Sequence, residues 1–382
     1  MKKKIIYSLI LFFALLIIST TTYLTVSGLE GNNAIVEPSQ ENVIYKTFDN
    51  LDFAYDKELR QLSIDGNGLI NSTLISKIDD NFEAIGGIKV TQLIEKIVVG
   101  NKITEISEKS LLQIYNLKEI EILGTTLVRA GAFYNCSNLE SLTIPFVGGS
   151  FSSKFPLGYL FGTESFSLSV ATEQTYYDLL DQLTTTTFYI PEKLKEVNIS
   201  SGNIYRGAFE NCKNIAVVKL PDTINPNGKV VYGEDAFKGC NSLSNVAFSN
   251  FDLEDDKTWL DRWLNIEFTN AMSNPMYYAS RFALKNLDGT YTEVYSIDFT
   301  KQTDIGDYQF YGFENLVKVN FEVDNISIGK YAFYGCSSLV VDTWIDEDII
   351  FVKGKYVIGE NAYLTIRDAE DALRIKRVSE LL

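Results

Sequence analysis

Ala208-Phe209-Glu210-Asn211-Cys212-Lys213-Asn214-Ile215-Ala216-Val217-Val218-Lys219-Leu220 is the stretch whose reading decides the fold. Its first five residues recur as Ala132-Phe133-Tyr134-Asn135-Cys136, Ala236-Phe237-Lys238-Gly239-Cys240 and Ala332-Phe333-Tyr334-Gly335-Cys336, each followed three residues later by Leu or Ile. Two degenerate copies run through Ser110-Leu111 with Ile114 and Leu117, and through Gln309-Phe310 with Phe313 and Leu316. Self-similarity of this kind marks a repeat architecture, in which each copy is one structural unit.

After each copy come three apolar residues at the first, fourth and sixth positions of a short segment. They are Leu117, Ile120, Ile122; Leu139, Leu142, Ile144; Ile215, Val218, Leu220; Leu243, Val246, Phe248; and Leu316, Val319, Phe321. The same spacing without the preceding motif appears at Leu59, Leu62, Ile64; Ile94, Ile97, Val99; Leu194, Val197, Ile199; Trp263, Ile266, Phe268; and Val294, Ile297, Phe299. These predict ten short strands, many starting 20 to 23 residues apart, which is the period of a leucine-rich repeat. Leu339 is followed by Asp342 where an apolar residue belongs, so that copy is weak or terminal.

In each strand the fourth and sixth residues share one face, and the third and fifth point the other way. One repeat cannot bury its apolar face alone, so its neighbours must cover it. The expected fold is a repeat solenoid: a leucine-rich repeat horseshoe with short parallel strands on its concave face and irregular insertions. Phe133, Phe209, Phe237, Phe310 and Phe333, with Leu111, are expected to stack as a continuous ladder. Cys136, Cys212, Cys240 and Cys336 share a slot that holds Ile114 and Phe313 in other copies, so it calls for bulk and apolarity. The outward set that would meet a partner includes Lys96, Glu119, Glu121, Thr143, Glu196, Asn198, Lys219, Asn245, Glu267, Asp298, Lys318 and Asn320.

The Ala-Phe-x-x-Cys-x-x-Leu motif with its following strand resembles the BspA-like leucine-rich repeats of bacterial surface proteins. The resemblance covers about residues 59–344. Pro145 to Gly149 with Leu157 to Gly162, and Ser273-Asn274-Pro275-Met276-Tyr277-Tyr278, are similar to segments that recur in that family. It implies surface display, adhesion and partner binding, without fixing a target.

Three lysines precede the apolar run Ile5 to Ile18, and Ser19 to Thr22 follow it, the order of an export signal. Residues 1–28 are either a signal peptide cleaved after Ser27 or an uncleaved anchor spanning the bilayer at residues 5–26. Both place the remainder outside the cell, secreted or surface-attached, with membrane contact only through the N-terminal segment. Residues 29–58 are a polar lead-in and N-terminal cap, residues 59–344 the repeat, and residues 345–382 a C-terminal cap or tail with an amphipathic helix from Asp368.

Two insertions interrupt the repeat, at about residues 146–190 and 249–293. The first is rich in aromatics, among them Tyr159 and Phe161, and poor in charge. Such a segment is either recognition surface or a private core that holds the insertion to the repeat. Thr175 to Leu183 is expected to be a short helix, with Tyr176, Leu179, Leu180 and Leu183 on one side. The second insertion opens with Asp252 to Asp256, which reads as a solvated helix start; the cluster lacks the alternation and glycine of a calcium loop.

The chain of 382 residues carries 34 basic and 50 acidic residues, a formal charge of -16, and so repels nucleic-acid backbones. It has no histidine, which excludes Ser-His-Asp and Cys-His nucleophile systems and histidine-ligated metals. No Cys-x-x-Cys pair supports zinc, and no glycine loop suits a phosphate. A Cys212–Cys240 bridge between adjacent coils is geometrically conceivable, but apolar packing accounts for the slot. Paired carboxylates such as Glu119 and Glu121 leave an acid/base hydrolase as a residual reading. The expectation is therefore a non-catalytic binding or adhesion protein without cofactor, taking a protein or glycan partner. A self-associating envelope scaffold is the alternative.

Overall fold

A computed structural model describes residues 42–112, 114–221, 229–248, 259–286, 290–322, 326–338 and 356–358. The leader, the acidic run 252–256 and the helix expected from Asp368 lie outside the described residues.

The repeat begins on an antiparallel meander of β1 (Val43–Phe48), β2 (Leu51–Asp56) and β3 (Gln61–Gly66). Each following coil adds one parallel strand beside the last: β4 (Lys96–Val99), β5 (Glu119–Ile122) and β6 (Ser141–Ile144). The first insertion forms a separate antiparallel hairpin, β7 (Ser169–Tyr177) and β8 (Leu183–Pro191). The parallel series resumes with β9 (Glu196–Ile199), β10 (Val217–Leu220) and β11 (Asn245–Phe248). It continues with β12 (Arg281–Lys285), and β13 (Tyr291–Glu293) closes the sheet antiparallel to it. These make one mostly parallel sheet of eleven strands among the described residues. β14 (Ser296–Phe299) and β15 (Lys318–Phe321) form a second parallel pair.

Register is the property that matters. Leu62, Ile97, Ile120, Leu142, Val197, Val218, Val246 and Phe282 are successive cross-strand partners, and all are buried. A slip of one residue would turn every one of them to the opposite face. The recurring motif turns pair as well: Phe209 N–H donates to Ala236 O (2.7 Å), and Phe310 N–H to Ala332 O (2.6 Å).

That hydrogen bond identifies coils within the insertions. Phe133 N–H donates to Leu160 O (2.9 Å), so Leu160-Phe161 takes the place of an Ala-Phe pair, and Phe161 is fully buried. Phe237 N–H donates to Met272 O (3.0 Å), which puts Ser273 in the phenylalanine slot. Trp263 is fully buried and packs on Phe268, Phe282 and Phe313; its Nε1–H donates to Gln309 O (2.7 Å). The phenylalanines therefore do not form the expected continuous ladder. Phe209 stacks on Phe237 (5.2 Å, 4°) and Phe310 on Phe333 (5.1 Å, 13°), while Phe133 meets Phe161 edge-on (6.1 Å, 62°). Phe161 keeps a ring in the slot of the first substitute coil but meets Phe133 edge-on, and Ser273 in the slot of the second separates the two stacked pairs.

Two further expectations are corrected. Thr175 to Leu183 is not a helix: its β-branched residues and the Thr184–Thr187 run pair as β7 and β8, and the helical spacing of the leucines is coincidental. Trp263 does not start a strand of the main sheet, because Trp259–Leu264 is helical and Ile266–Phe268 pairs with Val230–Tyr232 in a separate small sheet. β12 takes that place instead. Within the segment expected as lead-in and N-terminal cap, β1 and β2 open the sheet.

The hairpin is anchored through Gln174, which is fully buried. Its Oε1 accepts from Gly158 N–H (2.9 Å) and its Nε2 donates to Glu210 O (3.0 Å), joining the substitute coil to the next repeat. Gly207 has φ +62, and a Cβ there would lie 2.1 Å from Thr175 O, so the hairpin's approach requires glycine.

Removing a buried ring leaves a cavity that rigid neighbouring coils cannot fill, so Phe161→Ala should cost about 3–5 kcal/mol, as Phe209→Ala should. Urea denaturation measures both. A loss under about 1 kcal/mol for Phe161→Ala would remove this residue from the core.

Candidate partner-binding face

The outward residues of the sheet align as strictly as the inward ones. One row runs Gln61, Lys96, Glu119, Ser141, Glu196, Val217, Asn245, Arg281, and the next runs Ser63, Val98, Glu121, Thr143, Asn198, Lys219, Ala247, Ala283. Gln61, Ser63 and Val98 are buried at the N-terminal end. From β5 to β10 every outward residue is half-buried, and all but Val217 are polar.

Two ion clusters stand on that face. Lys96 Nζ bridges Glu119 (2.8 Å) and Glu121 (2.9 Å), and Lys219 pairs with Glu196 across the next strand boundary. Lys219 also lies over the Tyr291 ring, 5.6 Å from its centroid. Between the clusters lies β6, whose Ser141 and Thr143 carry only hydroxyls. Strands are about 4.8 Å apart, so Glu121 and Glu196 flank a neutral strip roughly 10 Å across. Asn198 Oδ1 is buried beside it, with no hydrogen-bond partner among the described residues. Asn245 Nδ2 donates to Ser244 Oγ (2.9 Å).

The structure does not bring all the expected site residues together. Lys96, Glu119, Glu121, Thr143, Glu196, Asn198, Lys219 and Asn245 share the main face. Asp298, Lys318 and Asn320 lie on the β14–β15 pair, where Asn320 Nδ2 donates to Asp298. Glu267 belongs to the small sheet with Val230–Tyr232, because the residues expected to place it on the main face fold as a helix and side strand. Phe161 is inside the protein, so it is not a surface residue; Tyr159 is half-buried and stacks on Phe155 (4.4 Å, 3°). Sequence reasoning missed Arg281, Ala283, Lys285 and Tyr291, although Arg281-Phe282-Ala283-Leu284-Lys285 does alternate polar and apolar groups.

The six-copy model described as the BspA type leucine rich repeat region matches residues 77–154, 160–258 and 290–362. The chain belongs to that family. Its second match spans the hairpin and both flanking coils. Solved structures similar to the chain are leucine-rich repeat proteins. One from Eubacterium ventriosum ATCC 27560 is 14% identical over 84% of this chain and 94% of that one, with TM-score 0.23. One from T. pallidum is 14% identical over 85% and 99%, TM-score 0.20. A leucine-rich cell surface protein from Faecalibacterium prausnitzii A2-165 is 13% identical over 73% and 95%, TM-score 0.20. No curated protein matches the chain.

The four cysteines are free thiols in the core. Burial pushes Cys136 up to about 12 and raises Cys212, Cys240 and Cys336 as well. Cys240 Sγ donates to Phe209 O (3.1 Å) and Cys336 Sγ to Phe310 O (3.2 Å), so each thiol also ties one coil to the one before it. Iodoacetamide at pH 8 should therefore leave all four unmodified in the folded chain and alkylate all four in urea, as read by mass spectrometry. Rapid native labelling of any one would contradict this placement.

For Lys96, burial disfavours the charged form, but Glu121 and Glu119 outweigh it and hold the ammonium above the ordinary lysine range. A raised lysine value stabilises the fold fully below the unfolded value of about 10.4, and the contribution is lost as pH rises through the folded value. Lys96→Met should thus be less stable than the natural chain at pH 7. That gap should narrow above about pH 10.5, and a gap independent of pH would rule the linkage out.

Proposed function

We propose that the chain is an exported, non-catalytic binding protein of a bacterial cell surface, whose coils wind into a solenoid with the parallel sheet on its concave side. The partner is a protein or glycan, met by the face from β5 to β11. The observation that supports this most is the face itself: outward side chains from consecutive coils, aligned by register, polar and partly solvated, with short hydroxyls between two fixed ion clusters. The apolar leader supports export, secreted or attached through that segment. Family membership supports a binding or adhesive role.

The carboxylates on which the hydrolase alternative rests are engaged otherwise. Glu119 and Glu121 share Lys96, and Glu196 is held by Lys219.

Ser141→Arg with Thr143→Arg fills the neutral strip with two bulky cations beside Glu119, Glu121 and Glu196 while leaving the inward row untouched. On an array of glycans and host-matrix proteins, this variant should lose at least tenfold in affinity for whichever surface the natural chain binds, with unchanged circular dichroism. Equal binding by both proteins to every responsive surface would rule out this face.

A further inference from the structure

The β7–β8 hairpin leaves one long strand edge open. β8 pairs only with β7, and Tyr189 N–H, directed away from β7, donates to Gly162 O (3.1 Å). In an antiparallel ladder the outward-directed groups recur at every second residue, so Leu183, Thr185 and Thr187 point N–H and C=O away from β7. No strand of the described residues takes them up. The side chains of these three residues are exposed. The opposite edge is engaged: on β7, Thr175 N–H donates to Glu210 Oε2 (2.7 Å) and Glu173 O accepts from Asn211 Nδ2 (2.7 Å).

Open edges invite pairing with another chain, and proteins usually block them with charge, proline or a bulge. Other described edge strands of four or more residues carry a charge: Lys46 in β1, Glu173 in β7, Asp298 in β14 and Lys318 in β15. β8 reads Leu-Thr-Thr-Thr-Thr-Phe-Tyr-Ile-Pro, with no charge and its only proline at the end docked against the repeat. Its threonines are β-branched and favour extended pairing. The adjoining turn is fixed. Asp178 Oδ1 accepts from Leu180 N–H (2.8 Å) and Gln182 N–H (2.9 Å), and Lys154 pairs with Asp181 (2.7 Å). That turn holds Leu179 and Leu180 in solvent, 86% and 77% exposed.

We infer that the β8 edge is a self-association site, where two copies of this chain pair β8 to β8 antiparallel about a two-fold axis at Thr185. The edge is its own complement: Thr185 falls opposite Thr185 of the other copy, and Leu183 opposite Thr187, so every outward N–H meets a C=O. A chain of net charge -16 repels its copies, and a strand free of carboxylates is where two can approach. Threonine pairs across such a ladder are favourable. Five residues span only about 17 Å, so the contact is small and the dimer reversible. The site is separate from the sheet face and does not depend on that face binding a partner.

The two-fold axis supplies the test. The native cysteines are buried, so Thr185→Cys adds the sole exposed thiol among the described residues, and paired copies would hold the two Cα atoms about 5.5 Å apart, within disulfide reach. Under mild oxidation, Thr185→Cys should form disulfide dimers at least ten times faster than Asn241→Cys, an exposed position outside the hairpin. In sedimentation velocity the natural chain should dimerise reversibly with concentration. Thr185→Lys, which sets two like charges face to face, should weaken that dimer at least tenfold with unchanged circular dichroism. Ser141→Arg with Thr143→Arg should leave it intact. Equal cross-linking of the two cysteine variants would overturn the proposal, as would a natural chain that stays monomeric to millimolar concentration, or a dimer indifferent to Thr185→Lys.

Discussion

The structure depends on coil-to-coil register. No single coil owns a core: Leu142 is buried because Ile120 lies on one side of it and Val197 on the other. Backbone hydrogen bonds between successive motif turns hold that alignment on the far side from the sheet. A repeat of this kind gains stability from nearest-neighbour contacts, so an interruption must be bridged by something that presents the same backbone groups at the same height.

Both insertions meet that demand with unrelated residues. Leu157 to Gly162 forms a turn whose Leu160 carbonyl receives the bond that an Ala carbonyl receives elsewhere, and Phe161 fills the ring position. In the second, Met272 supplies the carbonyl and Trp263 supplies the aromatic bulk that Ser273 lacks. Gln174 and Gln309 are buried amides at these two junctions, each spanning chain segments that no regular repeat would leave apart. A buried amide is tolerated only with partners, and three of these four polar atoms have one.

The polar face follows from the same register. Since inward positions must align, outward ones align too, and side chains distant in sequence become neighbours: Lys96 with Glu119 and Glu121, Glu196 with Lys219. The repeat thus turns a period in sequence into rows in space, and variation at the outward positions changes the surface without touching the core. The hairpin stands apart from this system, since its pairing is internal and the outer edge of β8 from Leu183 to Thr187 answers to no neighbouring coil.

Composition, period and motif sufficed to establish the repeat, its family, all ten inferred strands as members of parallel ladders, seven of them in the main sheet, and the inward direction of Phe133, Phe209, Phe237, Phe310 and Phe333. These are local and periodic properties, legible wherever apolar residues recur at strand spacing. Tertiary structure decided the rest. It buried Phe161, which composition alone left open between surface and core; it replaced the Trp263 strand with β12; and it moved Glu267 off the main face. The reason is that an interrupted repeat is completed by any residues able to offer a carbonyl and an apolar group at the right height: the first substitute keeps only the motif's phenylalanine, as Phe161, and the second keeps none of its letters.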